Sequence, residues 1–219
     1  MADALATWSS LSTPWHTAFQ QAWESWRSGS AAVGAAVTDA SGSIVAVGRN
    51  RLSEARDGTA PLAGTPMAHA EMNALASLPT GRFDGHTIYT TYEPCLMCSA
   101  TIRGTYRIPR VAFASHDPTW RGLEEAFRAQ EAVFRSAPAR HHLGGPYGAF
   151  AYILHISWVL RQSPGVGGAH QRHAPGRLAL ARRVTDEGVL RQVSDAGGGP
   201  AEAAGRLWPE LQELAAEDS

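Results

Sequence analysis

The chain has 219 residues, of which 44% are hydrophobic, and its 19 basic and 20 acidic residues leave a formal net charge of -1. This size predicts one domain followed by a tail, because domains commonly span about 100 to 200 residues. A near-neutral chain lacks the bulk positive field that attracts nucleic acid nonspecifically, so a small-molecule partner is favoured and a nucleic-acid partner is disfavoured.

The sequence also argues against a membrane or secretory location. No stretch approaches the ~18 consecutive apolar residues that would span a bilayer, and no basic region followed by an apolar run opens the chain. The two cysteines, Cys95 and Cys98, lie three positions apart. That spacing is typical of metal or redox sites in reducing compartments. We therefore expect a cytoplasmic protein without a membrane partner.

The first part of the chain predicts a helix, a hairpin and a long loop. Apolar side chains mostly three or four positions apart predict one amphipathic helix over residues 8–27. Two β-rich runs, at 34–38 and 44–49, flank a polar turn and predict a hairpin that ends at Asn50. Residues 51–64 mix charges with Gly and Pro, which indicates a long loop of the kind that often carries function.

The next part alternates helices with strands. Thr65 as N-cap and Pro66 in the first turn predict a helix through residues 69–71. A β-rich run, a second helix and a further strand follow at 87–91, 95–102 and 110–114. This alternation favours parallel pairing and a sheet covered on both faces. The sequence thus predicts an α/β protein, a three-layer α/β/α sandwich with a central mixed sheet of about five strands.

The last part is predicted to lose regular structure. Residues 123–136 and 150–161 predict helices, with a short fifth strand possible near either segment. From residue 163 onward Gly, Ala, Pro and Arg dominate, which predicts a mostly disordered tail with a weak helix after Pro209. We therefore divide the chain into a domain over residues 1–162 and a tail over 163–219.

Two short motifs, His69-Ala70-Glu71 and Pro94-Cys95-Leu96-Met97-Cys98, carry the predicted chemistry. A catalytic zinc ion usually takes three protein ligands and leaves a fourth position for water, and one imidazole with two thiolates meets that count. Thiols at a helix start lie near free backbone N–H groups and the positive end of the helix dipole, which favours their ionisation. The predicted zinc ligands are His69, Cys95 and Cys98.

Glu71 is the predicted catalytic residue. Zinc lowers the pKa of a bound water toward about 7 and so supplies a hydroxide at neutral pH. Attack by that hydroxide also requires a proton on the substrate and another on the leaving group. One carboxylate two residues from a metal ligand is placed to carry both protons.

With these two motifs the sequence resembles the cytidine and deoxycytidylate deaminase superfamily, over about residues 15 to 118. Guanine deaminases, cytosine deaminases and tRNA adenosine deaminases share its His-first pattern. The resemblance implies a cytidine deaminase-like fold, a homodimer and Glu71 as the proton shuttle. It also implies that Asn50 binds the base and that the backbone N–H of Ala70 contacts the substrate. Asn50 has a second interpretation, as the cap of the turn after its strand.

Three further residues are substrate-binding candidates by analogy alone. His116, Asp117 and Trp120 follow the fourth strand, where an aromatic ring stacks on a base and a carboxylate hydrogen-bonds it. Trp120 is equally interpretable as a core aromatic residue or a dimer contact.

The predicted function is a zinc-dependent hydrolytic deaminase of a nucleobase or nucleoside, in which zinc-bound hydroxide attacks the amino-bearing carbon and ammonia leaves. Guanine or guanosine is slightly favoured over a cytosine or adenine type. A tRNA adenosine deaminase is the alternative within the family, disfavoured by the neutral charge and by the long loop between Asn50 and His69. A non-catalytic zinc-binding interaction protein is the alternative of another class.

Overall fold

A five-stranded mixed sheet forms the centre of the computed structural model, which describes residues 2–129 and 138–216. The strand order is β2-β1-β3-β4-β5, with β1 antiparallel to β2 and β3, and with β3, β4 and β5 parallel. The strands are β1 (Gly34–Thr38), β2 (Ile44–Arg49), β3 (Thr87–Tyr92), β4 (Arg110–Ser115) and β5 (Ala139–His142). The predicted mixed sheet, parallel in its second half, is confirmed.

Helices cover both faces of this sheet. The helices are α1 (Ala2–Ser10), α2 (Thr13–Arg27), α3 (Ala70–Ala76), α4 (Leu96–Ala100), α5 (Leu123–Arg128), α6 (Gly145–Gln162), α7 (Gly168–His173), α8 (Pro175–Asp186), α9 (Val189–Asp195), α10 (Pro200–Arg206) and α11 (Trp208–Ala216). Gly34 of β1 lies against α2 on one face of the sheet. Gly48 of β2 pairs with Ala35, the neighbour of Gly34, and therefore belongs to the opposite face, where it lies against α3. Helix α6 lies on the α2 face, where Phe150 stacks against Phe19. The three-layer prediction is therefore confirmed.

The N-terminal helix is divided, contrary to the prediction of one helix over residues 8–27. Helix α1 ends at Ser10, and α2 begins at Thr13 with Ser12 as its N-cap. Pro14 explains the break, because proline inside a continuous helix would lose a hydrogen bond and clash with the carbonyl group four residues earlier.

The helix that carries Glu71 begins at Ala70, five residues later than Thr65 predicted. The preceding residues form turns, in which the amide of Ala68 donates to the carbonyl of Thr65. The carbonyl of Ala68 accepts from the amide of Arg51 instead of a helical partner. His69 is consequently extended and serves as the N-cap of α3.

Two later predictions hold in part. The helix predicted over 95–102 is α4, which continues into a π-helical turn at Thr101–Thr105. Of the helix predicted over 123–136, α5 covers the first six residues, and residues 130–136 lie outside the described part of the chain. The helix predicted over 150–161 lies within α6, and β5 is the fifth strand that the sequence left open.

The predicted disordered tail is wrong for the described residues up to 216, because α7 to α11 fill this segment. Helices α8 and α11 pack on α6 and bury an apolar row made of Leu178, Ala181, Val184 and Leu211. Proline and glycine delimit these helices, as Pro175 and Pro200 in first turns and Gly188 in the left-handed conformation show. The division into residues 1–162 and 163–219 stays a prediction. No helix in the described ranges is long and apolar enough to cross a bilayer.

Gly48 permits the close approach of β2 and α3. A Cβ atom there would lie 2.3 Å from the carbonyl oxygen of Ala70 and 2.4 Å from the amide nitrogen of Ala74. Because backbone atoms cannot move aside, we expect Gly48→Ala to lower the free energy of unfolding by about 3 kcal/mol, the upper end for an overpacked core. Urea unfolding measures this loss. Gly81→Ala is the matched control, since its nearest neighbour would lie 3.7 Å away, and equal losses in both variants would contradict the packing argument.

Candidate active site

The starts of two helices meet beside the carboxyl end of β3. His69 is the N-cap of α3, Cys95 is the N-cap of α4, and Cys98 lies in the first turn of α4. The Nδ1 atom of His69 lies 3.6 Å from Sγ of Cys95 and 3.5 Å from Sγ of Cys98. The structure therefore brings together all three predicted ligands.

This donor set fits a zinc ion. Zn–S bonds of about 2.3 Å and Zn–N bonds of about 2.0 to 2.1 Å at a tetrahedral angle place the sulfur and nitrogen atoms about 3.6 Å apart. The two nitrogen–sulfur distances match this value, and all three ligand atoms lie within 4.8 Å of one another. One imidazole and two thiolates are soft ligands of the kind that zinc prefers.

The two thiols differ in their readiness to ionise. Hydrogen bonding with Cys98 and with His69 lowers the pKa of Cys95 to about 4. The hydrogen bond between the two thiols, together with burial, raises the pKa of Cys98. One ligand is thus already a thiolate at neutral pH, and a bound dication would displace the proton from the other.

Glu71 lies in a buried position beside the ligands. Its side chain is 3% exposed, and its Oε2 atom lies 3.5 Å from Sγ of Cys98. Thr90 of β3 donates a hydrogen bond of 3.3 Å to Oε1. Burial raises the pKa of the Glu71 carboxyl group, partly opposed by the charge of His69. A raised pKa makes this carboxyl group a better proton acceptor than an exposed carboxylate, which suits an acid–base role.

Asn50 directly follows β2, as predicted, and Ala70 is at the start of α3. The Oδ1 atom of Asn50 accepts from the amide of Leu52 at 3.0 Å, so the side chain does cap the following turn. Ala70 is the first residue of α3, a position whose amide has no acceptor inside its own helix. Contact with a substrate stays a prediction for both residues.

His116, Asp117 and Trp120 gather around Glu93, two residues before Cys95. The Glu93 carboxylate accepts from Nδ1 of His116 at 3.1 Å and from the amide of Asp117 at 3.0 Å. Arg140 also donates to this carboxylate. All three candidates line a cavity of about 650 Å³, which the start of α8 also lines. The zinc ligands do not line this cavity. The predicted site residues therefore form two groups, one at the zinc ligands and one around Glu93.

Two buried polar residues beside the site were missed by sequence reasoning. Thr90 bonds to Glu71 across 19 residues of chain. Asn73 donates from Nδ2 to the carbonyl of Arg49 and accepts at Oδ1 from the amide of Leu62, which fixes the long loop to α3. Their only signal in the sequence is a polar residue within an apolar element, a pattern too common to indicate a role.

The arginines near the long loop are engaged within it. Arg49 and Arg51 both pair with Glu54, and Arg56 donates to the carbonyl of Ala63. These cations consequently fix the shape of the loop.

A buried histidine on α6, His155, predicts a dependence of stability on pH. Burial lowers the pKa of His155 from the ordinary value of 6.5 to about 3. Its Nδ1 atom has no hydrogen-bond partner among the described residues, and its ring lies against Tyr92 with centroids 4.4 Å apart. The fold therefore favours the neutral ring.

The stabilisation from neutral His155 is fully present above about pH 6.5 and is lost as the pH falls toward 3. Between pH 6.5 and 5 we expect the loss to reach about 2 kcal/mol. Urea unfolding of the wild type and of His155→Phe at both pH values measures it as a difference. Identical losses in the two proteins would contradict the assignment.

Comparison with known proteins identifies the family. A model of the cytidine and deoxycytidylate deaminase zinc-binding region matches residues 9–115. The tRNA-specific adenosine deaminase of Agrobacterium fabrum is 33% identical over 114 residues, which cover 50% of this chain and 66% of that protein. The tRNA-specific adenosine deaminase of Aquifex aeolicus is 32% identical over 114 residues, which cover 50% of this chain and 69% of that protein. The chain belongs to the cytidine and deoxycytidylate deaminase family, and it spans about two thirds of the length of these relatives.

Solved structures agree with the fold. A mutant protein in complex with 8-azaguanine has a TM-score of 0.51 at 18% identity, covering 66% of this chain and 83% of that chain. A protein in complex with 2,6-diaminopurine has a TM-score of 0.50 at 19% identity, and the match covers 70% of this chain and 82% of that chain. At these identities the likeness shows the fold alone, and that fold is the one that the sequence resemblance implied.

Proposed function

We propose that this chain is a zinc-dependent hydrolytic deaminase of a nucleobase or nucleoside. The convergence of His69, Cys95 and Cys98 at zinc-binding distances, with the buried carboxyl group of Glu71 beside Cys98, carries this proposal. Membership of the deaminase family supports it. A zinc ion held there would lower the pKa of a bound water toward about 7 and supply the nucleophile at neutral pH.

The protein's own residues would bind the ring and move its protons. Glu71, with its raised pKa, would give a proton to the ring nitrogen and later to the departing amine. The amide of Ala70 at the start of α3 would donate to an oxygen of the substrate. Because Oδ1 of Asn50 already accepts from Leu52, contact of Asn50 with the base would fall mainly to its Nδ2 donor.

A small substrate is favoured by the charge of the chain. The chain carries a formal net charge of -1, and Arg49 and Arg51 are paired with Glu54 rather than displayed to phosphates.

The test is ammonia release by the zinc-loaded protein from cytosine, cytidine, adenine, adenosine, guanine, guanosine and an aminotriazine. Glu71→Ala serves as the blank. Release from one member of this panel, absent in the blank, would establish the reaction and the substrate. We expect guanine or guanosine to be the compound in this panel that is deaminated. Silence across the panel, with one zinc ion per chain, would overturn the small-substrate proposal.

A tRNA adenosine deaminase is the second candidate, because two relatives at 33% and 32% identity carry that name. Incubation with tRNA transcripts and detection of inosine tests it. A true tRNA enzyme would also bind with a steep dependence on salt, since each phosphate contact releases counterions. Inosine formation without turnover of the free compounds would favour this candidate.

We also propose a homodimer. Two large apolar side chains near the candidate zinc ligands are exposed: Met67, two residues before His69, is 51% exposed, and Leu96, which follows Cys95, is 48% exposed. A symmetric interface would cover such side chains. Light scattering of the eluted protein measures the mass, and a strictly monomeric protein of 23.4 kDa would contradict the dimer.

A further inference from the structure

Helix α7, in the segment whose sequence predicts disorder, contacts the turn that carries the substrate-binding candidates. His170 of α7 is 8% exposed, and its Nε2 atom lies 3.4 Å from Oγ1 of Thr119. Its Nδ1 atom lies 2.9 Å from the hydroxyl of Tyr152 on α6. One helical turn later, Nδ1 of His173 lies 3.4 Å from Nη1 of Arg121. One face of α7 therefore touches the turn twice.

The two contacts of His170 are mutually consistent. Burial lowers its pKa, so the ring is neutral at pH 7, with one nitrogen as donor and the other as acceptor. The hydroxyl groups of Tyr152 and Thr119 can each donate or accept, so either neutral tautomer of His170 satisfies both ring nitrogens.

The turn at Pro118–Trp120 is thus fixed from two sides. On the sheet side, the amide of Asp117 donates to Glu93 and the side chain of Asp117 accepts from the amide of Thr119. On the other side, His170 holds Thr119. The turn and the segment from His173 to Arg177, which follows α7, both line the 650 Å³ cavity.

We propose that His170 is a positioning residue of the substrate site, which orients Asp117 and Trp120 through Thr119 toward a small heteroaromatic substrate. On this proposal the segment from His173 to Arg177 lines the same cavity as Asp117 and Trp120. The substrate part of the proposal rests on the proposed deaminase function. The positioning part rests on the contacts of His170 and is measurable without turnover.

The first test is hydrogen–deuterium exchange on the zinc-loaded full chain. We expect His170→Ala to speed exchange in residues 116–121 by about 3- to 10-fold, as loss of one or two hydrogen bonds predicts. His170→Gln should restore most of the protection, because an amide side chain both donates and accepts. Gln171→Ala, at an exposed position of the same helix, is the matched control and should leave exchange unchanged.

The second test is steady-state kinetics with the panel compound that wild type deaminates. A positioning role raises KM by about 3- to 10-fold in His170→Ala with kcat within twofold, because the base loses contacts that are equal in ground and transition states. His170→Gln should return KM toward wild type. Thr119→Val and His170→Ala should be non-additive in KM, since each removes the same contact.

The outcomes separate this proposal from the proposed function. If no panel compound is turned over, the small-substrate proposal fails, whereas the exchange data still decide the role of His170. Unchanged exchange in residues 116–121 of His170→Ala would overturn the positioning role. So would an equal rise in exchange throughout α6 and α8, because it would mean that His170 supports the core and not the turn.

Discussion

Glu71→Gln is expected to lower kcat by about 10²- to 10⁴-fold, the usual contribution of a positioned acid–base group, while zinc stays bound. The glutamine side chain has nearly the shape of glutamate, so it can keep the hydrogen bond from Thr90 to Oε1. It cannot exchange a proton at neutral pH, however, and both proton transfers to the substrate would be lost.

Ammonia release and zinc content measured on the same preparation check this expectation. Glu24→Gln, an exposed position on α2, is the control for removal of one negative charge and should keep wild-type activity. Activity of Glu71→Gln within tenfold of wild type would rule out the assigned proton shuttle. If the wild type has no activity, and Glu71→Gln changes neither the zinc content nor the stability, the result would instead match the non-catalytic zinc-binding alternative.

Cys98→Ala is expected to lose both the metal and a large part of the stability. Its sulfur is fully buried between His69 and Glu71, so no other side chain can take its place without rearrangement of α4. A ligand present at about 1,000 times its dissociation constant stabilises the fold by about 4 kcal/mol. For a chain of this size that loss corresponds to a fall in Tm of about 8 to 16 °C.

Metal analysis after dialysis and thermal unfolding measure the two effects. Chelator treatment of the wild type is the control, because it should reproduce most of the fall in Tm and should have little effect on Cys98→Ala. One zinc ion per chain retained by Cys98→Ala would show that the ligand set is wrong.

The cluster of candidate metal ligands was predictable because its signals are local. His69 and Glu71 are two residues apart, Cys95 and Cys98 are three apart, and each pair belongs to one helix start. Local spacing therefore specified the ligands, and alternation of helices with strands specified the three layers. The offset start of α3 was not predictable, because it depends on the hydrogen bond between Ala68 and Arg51, which come from different segments.

The outer part of the site depended on contacts between distant residues. Thr90 reaches Glu71 across the layer boundary, and His170 reaches Thr119 across 51 positions of chain. In the C-terminal segment, frequent Gly and Pro indicated disorder, although Pro175 and Gly188 mark helix starts there. A count of Gly and Pro residues does not show where they lie, whereas their position at the helix ends is what makes them compatible with helices.

Helix α1 packs in the fold beside helices that lie far along the sequence. The hydroxyl of Tyr147 on α6 donates to the carbonyl of Ala4 on α1, and α1 also packs against α10. Trp208 of α11 contacts the same tyrosine ring. Contacts of such long sequence separation slow folding, and apolar surface that is exposed until they form favours aggregation. We therefore expect α1 to gain its native contacts late in folding.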